Sequence, residues 1–326
     1  MKRMGMLVVL GIVVGCSSDA GKDPKTPVDG GESTQDTGGD GSVGGGDTGV
    51  DPTPDVLVAD MGAVDLGPVG GDRPADVVVP ADWSPDGNYP VLMLLHGYTA
   101  SSRLQNVYFR TSALVDELQF VLVLPDGLVD DNGQQFWNAT DRCCDFNNKN
   151  PDDSTYLSEL ADEVVARYAG DPGRVYLLGH SNGGYMSYRL VCDHADQFAA
   201  MASLAGSSWW DATVCQPSEA VGVLQMHGTL DGTVLYDGLT NVYPGAEALV
   251  DRWVERNGCA ATGADAGSFN YDSRANGDET QVTLWSNCDG GTQVGLWRMV
   301  GSGHIPSIDD RFTRAAIDFL FAHTKQ

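Results

Sequence analysis

Val175-Tyr176-Leu177-Leu178-Gly179-His180-Ser181-Asn182-Gly183-Gly184-Tyr185-Met186-Ser187-Tyr188-Arg189-Leu190-Val191 is the stretch on which the fold turns. Its first four residues are an apolar run of strand type, and the residues from Gly184 onward read as a helix. Between them stands G-x-S-x-G. A serine on a sharp strand-to-helix turn needs neighbours without a Cβ, so that strand, helix and a substrate can approach closely. The start of the following helix also directs backbone N–H groups toward any oxyanion formed beside the serine. In a chain with 41 Gly the competing interpretation is a glycine-rich loop, but strand and helix in immediate succession favour a nucleophile elbow.

Working outward from the elbow, strand and helix signals alternate. Asp76 to Pro80, Val91 to Leu95 and Phe120 to Leu124 read as strands, the second as an apolar run covered on both faces. Ser101 to Leu118 reads as one helix, and Tyr156 to Tyr168 as another with Leu157, Leu160, Val164 and Val165 on its buried side. After the elbow, strands are predicted over Ala199 to Leu204, Val221 to Met226, Gln281 to Ser286 and Gln293 to Val300. Helices are predicted over Ala246 to Arg256 and Asp310 to Ala322. Such alternation implies an α/β fold with a mostly parallel, doubly wound sheet in a single catalytic domain. Functional side chains then belong at the carboxyl ends of strands.

This domain is expected over 73–326. Residues 16–72 differ: from Ser17 to Asp72 there are 12 Asp and Glu against 2 Lys, no aromatic residue and repeated Gly, Pro and Thr. Such a segment buries too little apolar surface to offset the entropy of ordering it, so it reads as an acidic, disordered tether. No D-x-D-x-D-G loop closing on Glu occurs there, which argues against calcium. Residues 1–15 carry Lys2 and Arg3 before the apolar run Met6 to Val14, the layout of a signal peptide and too short to span a bilayer. Val13-Val14-Gly15-Cys16 resembles a lipobox, so Cys16 is the expected lipidation site and the only expected link to a membrane. The alternative is an ordinary secretory signal containing a cysteine.

The net charge of −26 argues against nucleic acid and against electrostatic attachment to anionic membranes. Apolar content of 42% with 7 Trp, 11 Tyr and 9 Phe is ample for one sizeable core. With Cys16 lipidated, six of the 7 Cys remain, an even number in an exported chain, which favours disulfides. The expected links are Cys259–Cys288 and Cys192–Cys215. Adjacent Cys143 and Cys144 either bond to each other or each take another partner. No His stands at ligand spacing from them, so no metal is expected. The expected location is extracytoplasmic: a bacterial cell-surface or outer-membrane lipoprotein, or a secreted protein.

Serine is a weak nucleophile at neutral pH and needs a base, itself oriented by a carboxylate. Of the 6 His, His304 alone lies in a Gly-rich loop, Gly301-Ser302-Gly303-His304, between a late strand and the last helix. That is where the order Ser, Asp, His places the base. The carboxylate should close a strand between Ser181 and His304. Asp231, in His227-Gly228-Thr229-Leu230-Asp231-Gly232, fits; Asp237 and Asp211 are rivals. The oxyanion donors are expected to be the backbone N–H groups of Asn182, after the nucleophile, and of Tyr98, in the loop Leu95-His96-Gly97-Tyr98-Thr99. Trp137, Trp209 and Trp210 are candidates to stack on a sugar or aromatic acyl group, with packing as the alternative.

Leu94-Leu95-His96-Gly97-Tyr98, Trp137-Asn138-Ala139 with Cys143-Cys144, Gly179 to Gly184, His227 to Val234 and Gly303-His304 together resemble the polyhydroxybutyrate depolymerase and feruloyl esterase family. Trp253, Asn257-Gly258-Cys259 and Cys288 are similar too. The likeness runs from about Arg73 to the C-terminus and omits the tether. It implies an α/β-hydrolase fold, a triad of Ser181, Asp231 and His304, no cofactor, and ester hydrolysis through an acyl-enzyme. Family members often carry an aromatic residue or proline directly after the triad histidine, whereas here Ile305-Pro306 follows. The expected substrate is a polymer-derived ester: feruloyl, acetyl or hydroxyalkanoate. A serine peptidase on the same fold, or a non-catalytic surface binding protein, are the competing interpretations.

Overall fold

The computed structural model describes residues 66–325. The expected signal peptide, Cys16 and most of the expected tether lie outside them. The described residues begin before Arg73, and there the expected boundary shifts. Val69 is buried and bridges Ala75, the Gly70 N–H donates to Glu163, and Arg167 donates to the carbonyls of Gly67 and Pro68. These few residues, read as tether for their Gly and Pro content, lie against the domain because one valine finds an apolar site and the backbone finds charged partners.

Nine strands form one sheet: β1 Asp76–Val78, β2 Tyr89–Leu95, β3 Val121–Leu124, β4 Gly170–His180, β5 Ala200–Leu204, β6 Gly222–Gly228, β7 Ala264–Phe269, β8 Thr280–Trp285 and β9 Val294–Met299. Their order is β1-β3-β2-β4-β5-β6-β9-β8-β7. The six central strands from β3 to β9 run parallel, while β1 pairs antiparallel with β3 at one end and, at the other, β8 pairs antiparallel with β9 and β7 antiparallel with β8. Successive side chains of a strand face opposite ways, and β2 illustrates the result. Val91, Met93 and Leu95 enter one apolar core, and Leu92 and Leu94 enter the other.

Helices cover both faces. On the first lie α2 Asp153–Arg167, α3 Asn182–Asp193 and α4 Ala246–Arg256, contributing Leu157, Leu160, Met186, Leu190, Leu249 and Trp253. On the second lie α1 Ser102–Phe109 and α5 Asp310–Phe321, contributing Phe109, Phe312, Ile317 and Leu320. Side-chain caps start three of them: Ser101 accepts from Leu104 N–H, Asp152 from Thr155 N–H, and Asp309 from Arg311 and Phe312 N–H. This is the doubly wound α/β arrangement expected from the alternation.

Three local readings are corrected. The single helix expected over Ser101 to Leu118 breaks after Phe109, where Arg110 turns left-handed at φ 54°. Asn106 Oδ1 takes the Ser112 N–H and Thr313 Oγ1 donates to the Phe109 carbonyl, so side chains replace the helical ladder there. Strand β7 gives no apolar signal because all six of its residues are exposed. Two hairpins, Leu128–Val129 with Gln135–Phe136 and Gly238–Leu239 with Tyr243–Pro244, are too short for periodicity to reveal.

Disulfides join Cys192 to Cys215, Cys259 to Cys288 and Cys143 to Cys144. The first two are the pairs expected from the sequence, and the third resolves the alternative left open for the adjacent cysteines.

Candidate active site

Three loops meet at the carboxyl edge of the sheet. Ser181 follows β4, Asp231 follows β6 and His304 follows β9, and these strands lie within one parallel block. Ser181 sits at φ 54° and ψ −117°, a conformation that costs a residue with a Cβ roughly 1–3 kcal/mol. Its surroundings hold it there. A Cβ on Gly183 would meet the Leu95 carbonyl oxygen at 2.1 Å, and one on Gly179 would meet the Gly183 oxygen at 2.2 Å. The start of α3 is thus pressed onto the ends of β2 and β4, which a larger residue at either position would prevent.

His304 Nε2 lies 2.9 Å from Ser181 Oγ, and His304 Nδ1 lies 2.7 Å from Asp231 Oδ2. The Asp231 side chain is fully buried, and that of His304 is 15% exposed. Burial alone would raise the Asp231 carboxyl. Donors from His227, His304 and the Thr233 backbone outweigh it and hold the group well below the usual carboxylate range, so it is an anion. A carboxylate at Nδ1 fixes the tautomer in which Nε2 is free to accept the serine proton. The rivals for the carboxylate position are elsewhere in role: Asp237 is exposed, and Asp211 is an exposed residue that caps the short turn Ala212–Val214.

Asn182 opens α3, where the first-turn N–H groups have no carbonyl one turn back. Its side chain is committed elsewhere: Oδ1 accepts from the Trp137 N–H at 2.7 Å and Nδ2 donates to the Trp137 carbonyl at 2.9 Å. The same Nδ2 lies 3.5 Å from Cys143 Sγ, so the Cys143–Cys144 loop rests against the elbow. Tyr98 lies in the turn after β2. Its ring meets Phe146 edge-on and its hydroxyl donates to Asp130 at 2.6 Å. Among the described residues no protein acceptor takes the Tyr98 backbone N–H.

Trp137 is corrected. It is fully buried, its indole N–H donates to the His96 carbonyl at 3.1 Å, and its ring lies beside the His96 ring and under Arg73. A ring without exposed face cannot stack on a substrate. Trp209 is half-buried against the core and Trp210 is 41% exposed, and Arg252 ties both of their carbonyls to α4.

Two buried histidines given no role by the sequence reading touch the site. His180 Nε2–H donates to the His304 carbonyl at 3.0 Å, and His227 Nε2 lies 3.2 Å from Asp231 Oδ2. Their only sequence signal is adjacency, one preceding Ser181 and the other four residues before Asp231. Among the described residues no group of three or more His, Cys, Asp or Glu could hold a metal ion.

A family model described as an esterase matches residues 68–233, a segment that includes Ser181 and Asp231. The chain is 28% identical over 241 residues to a bifunctional acetylxylan esterase/xylanase of Neocallimastix patriciarum, covering 74% of this chain and 32% of that protein. It is 28% identical over 243 residues to feruloyl esterase B of Piromyces equi, covering 71% of this chain and 42% of that protein. The chain therefore spans less than half the length of these curated relatives. Among solved structures, acetyl xylan esterase from Aspergillus awamori matches with a TM-score of 0.56 at 15% identity, over 79% of this chain and 98% of that one, a likeness of fold.

Proposed function

The chain belongs to the esterase family, and from that premise we propose that it hydrolyses carboxylic esters carried by polymers through an acyl-enzyme on Ser181. Feruloyl or acetyl esters of plant polysaccharide are the substrate class that the names of its relatives favour, with polyhydroxyalkanoate-type polyester beside them. The observation that carries the reading is the unbroken line from Ser181 Oγ to His304 Nε2 at 2.9 Å and from His304 Nδ1 to Asp231 Oδ2 at 2.7 Å.

In this mechanism Ser181 Oγ attacks the ester carbonyl while His304 Nε2 takes its proton. His304 returns that proton to the leaving alcohol, and water reverses the sequence to release the acid. Asp231, an anion throughout, orients His304 and stabilises the imidazolium. The backbone N–H groups of Tyr98 and Asn182 hold the oxyanion. Trp210, exposed after β5, supplies a stacking face to the polymer. We further propose that lipid on Cys16 and the acidic tether hold the domain at the cell surface, within reach of insoluble substrate.

The test is covalent labelling by a fluorophosphonate followed by peptide mapping, set beside release of ferulate from arabinoxylan and clearing of a polyester film. Label on Ser181 with release of one product supports the reading. Ser181→Ala or His304→Ala should each lower turnover by roughly four to six orders of magnitude. A loss below tenfold in either would remove the mechanism.

A further inference from the structure

The hydrogen bonds behind Asp231 continue beyond His304. Oδ1 of Asp231 accepts from the Thr233 and Val234 N–H groups at 2.8 and 2.9 Å. Oδ2 is shared between two imidazoles, His304 Nδ1 at 2.7 Å and His227 Nε2 at 3.2 Å. The carboxylate thus has four donors around it, and His227 is the one that neither the backbone nor the proposed reaction supplies.

The protonation of His227 follows from its other neighbour. The Gln225 amide nitrogen donates to the Gly206 carbonyl at 2.9 Å and faces His227 Nδ1 at 3.0 Å, while Gln225 Oε1 accepts from the Tyr188 hydroxyl at 2.9 Å. An amide nitrogen only donates, so Nδ1 is bare and the ring proton is on Nε2. Nε2–H then donates to the Val234 carbonyl at 2.8 Å, with Asp231 Oδ2 lying 3.2 Å from the same nitrogen. Tyr188, Gln225, His227 and Asp231 are all buried. Gln225 and His227 lie two apart on β6 and so share a face of the sheet, with Asp231 just past the strand end. Tyr188, Gln225 and His227 form a hydrogen-bonded row that ends with His227 Nε2 against Asp231 Oδ2 at 3.2 Å, and from Asp231 hydrogen bonds run on through His304 to Ser181.

We propose that His227 is a positioning residue for ester hydrolysis, its Nε2–H, anchored on the Val234 carbonyl, giving Asp231 Oδ2 a polar contact at 3.2 Å that keeps the carboxylate in line with His304. This rests on the triad reading above. An apolar residue of equal volume would fill the space but leave a buried carboxylate oxygen one donor short. A hydrogen bond to a charged group of this kind is worth roughly ten- to a hundredfold when it acts in the transition state.

The test compares His227→Phe, His227→Asn and His227→Gln in the full chain, with Ser181→Ala as control. Steady-state hydrolysis of 4-nitrophenyl acetate is measured, and circular dichroism and thermal unfolding verify the fold. The amide of Gln reaches the place of Nε2, whereas that of Asn reaches only the place of Nδ1. The expected result is a kcat lowered roughly ten- to a hundredfold in the Phe and Asn variants, KM within about twofold of the parent, and recovery to within about threefold in the Gln variant. If the Phe variant fails to fold, the contrast between Asn and Gln decides. Parental kcat in a folded Asn or Phe variant overturns the inference, as does a Gln variant no better than Asn. Activity surviving in Ser181→Ala would overturn the triad reading instead, so the two failures are distinct.

Discussion

The Nε2–H of His180 donates to the main-chain carbonyl of His304 at 3.0 Å, so the residue before Ser181 ties the elbow to the loop bearing His304. The two rings lie 5.1 Å apart, and His180 is buried. Burial, and then the neighbouring His304, lowers the His180 imidazole to about 4. A histidine whose folded value lies below the unfolded one near 6.5 contributes stability that is complete above about pH 6.5 and lost as pH falls toward about 4. His96 and His323 are pushed the same way by burial. The share of His180 is on the order of 3 kcal/mol. Urea unfolding between pH 7 and 4 should give a shallower loss of stability for His180→Asn than for the parent. Parallel curves would mean that His180 does not resist protonation in the fold.

Cys192 and Cys215 close a loop of sequence separation 23 between the end of α3 and the segment before β6. Constraining a loop of that size stabilises a domain by roughly 2–4 kcal/mol. Cys192→Ser with Cys215→Ser should lower the unfolding free energy by about that amount, read from the urea midpoint at pH 7. An unchanged midpoint would show the bond to be dispensable.

Gly183 should tolerate no side chain. Its added methyl would lie 2.1 Å from the Leu95 oxygen and 2.7 Å from that of His96, both backbone atoms. Gly183→Ala is expected to cost about 1–3 kcal/mol or more and to displace Ser181, because α3 must move off β2. Thermal unfolding and fluorophosphonate labelling rate together measure it. A variant matching the parent in both would contradict the packing described.

Trp137 and Trp210 should separate by assay. Trp137→Phe removes the indole N–H from the buried His96 carbonyl, and an unsatisfied buried acceptor costs about 1–3 kcal/mol. Its effect belongs mainly in thermal stability. Trp210→Ala, at an exposed position, should leave stability within about 0.5 kcal/mol and raise KM for polymeric substrate. KM for polymer unchanged in Trp210→Ala would remove it from the substrate face.

What the sequence reveals follows burial. Val91 to Leu95 and Val175 to Leu178 are continuous apolar runs because both faces of the sheet are covered, and Ala246 to Arg256 is bounded correctly because its apolar residues keep a helical period. Ala264–Phe269 has no such pattern, since all six of its residues are exposed. Trp137 illustrates the converse: an aromatic residue near the site carries the same letter whether its ring faces substrate or core, and only the pairing of its backbone with Asn182 decides. The meeting of Ser181, Asp231 and His304 is legible because each stands where a strand gives way to a glycine-containing turn. His180 meets His304 across 124 residues of chain, which spacing does not encode, and His227 meets Asp231 only because the turn after its strand folds back on it.

Among the described residues strand β7 ends the sheet with an unpaired border, and such a border invites another molecule to extend the ladder. Here the register slips between Asp265 and Ser268, Gly267 turns at φ 99°, and the Asp265 carboxylate takes the Gly267 N–H. A neighbour trying to add on would find neither a straight row of partners nor an apolar face to cover. The same irregularity that hides this strand from a periodicity reading thus acts against end-to-end self-association when the protein is crowded.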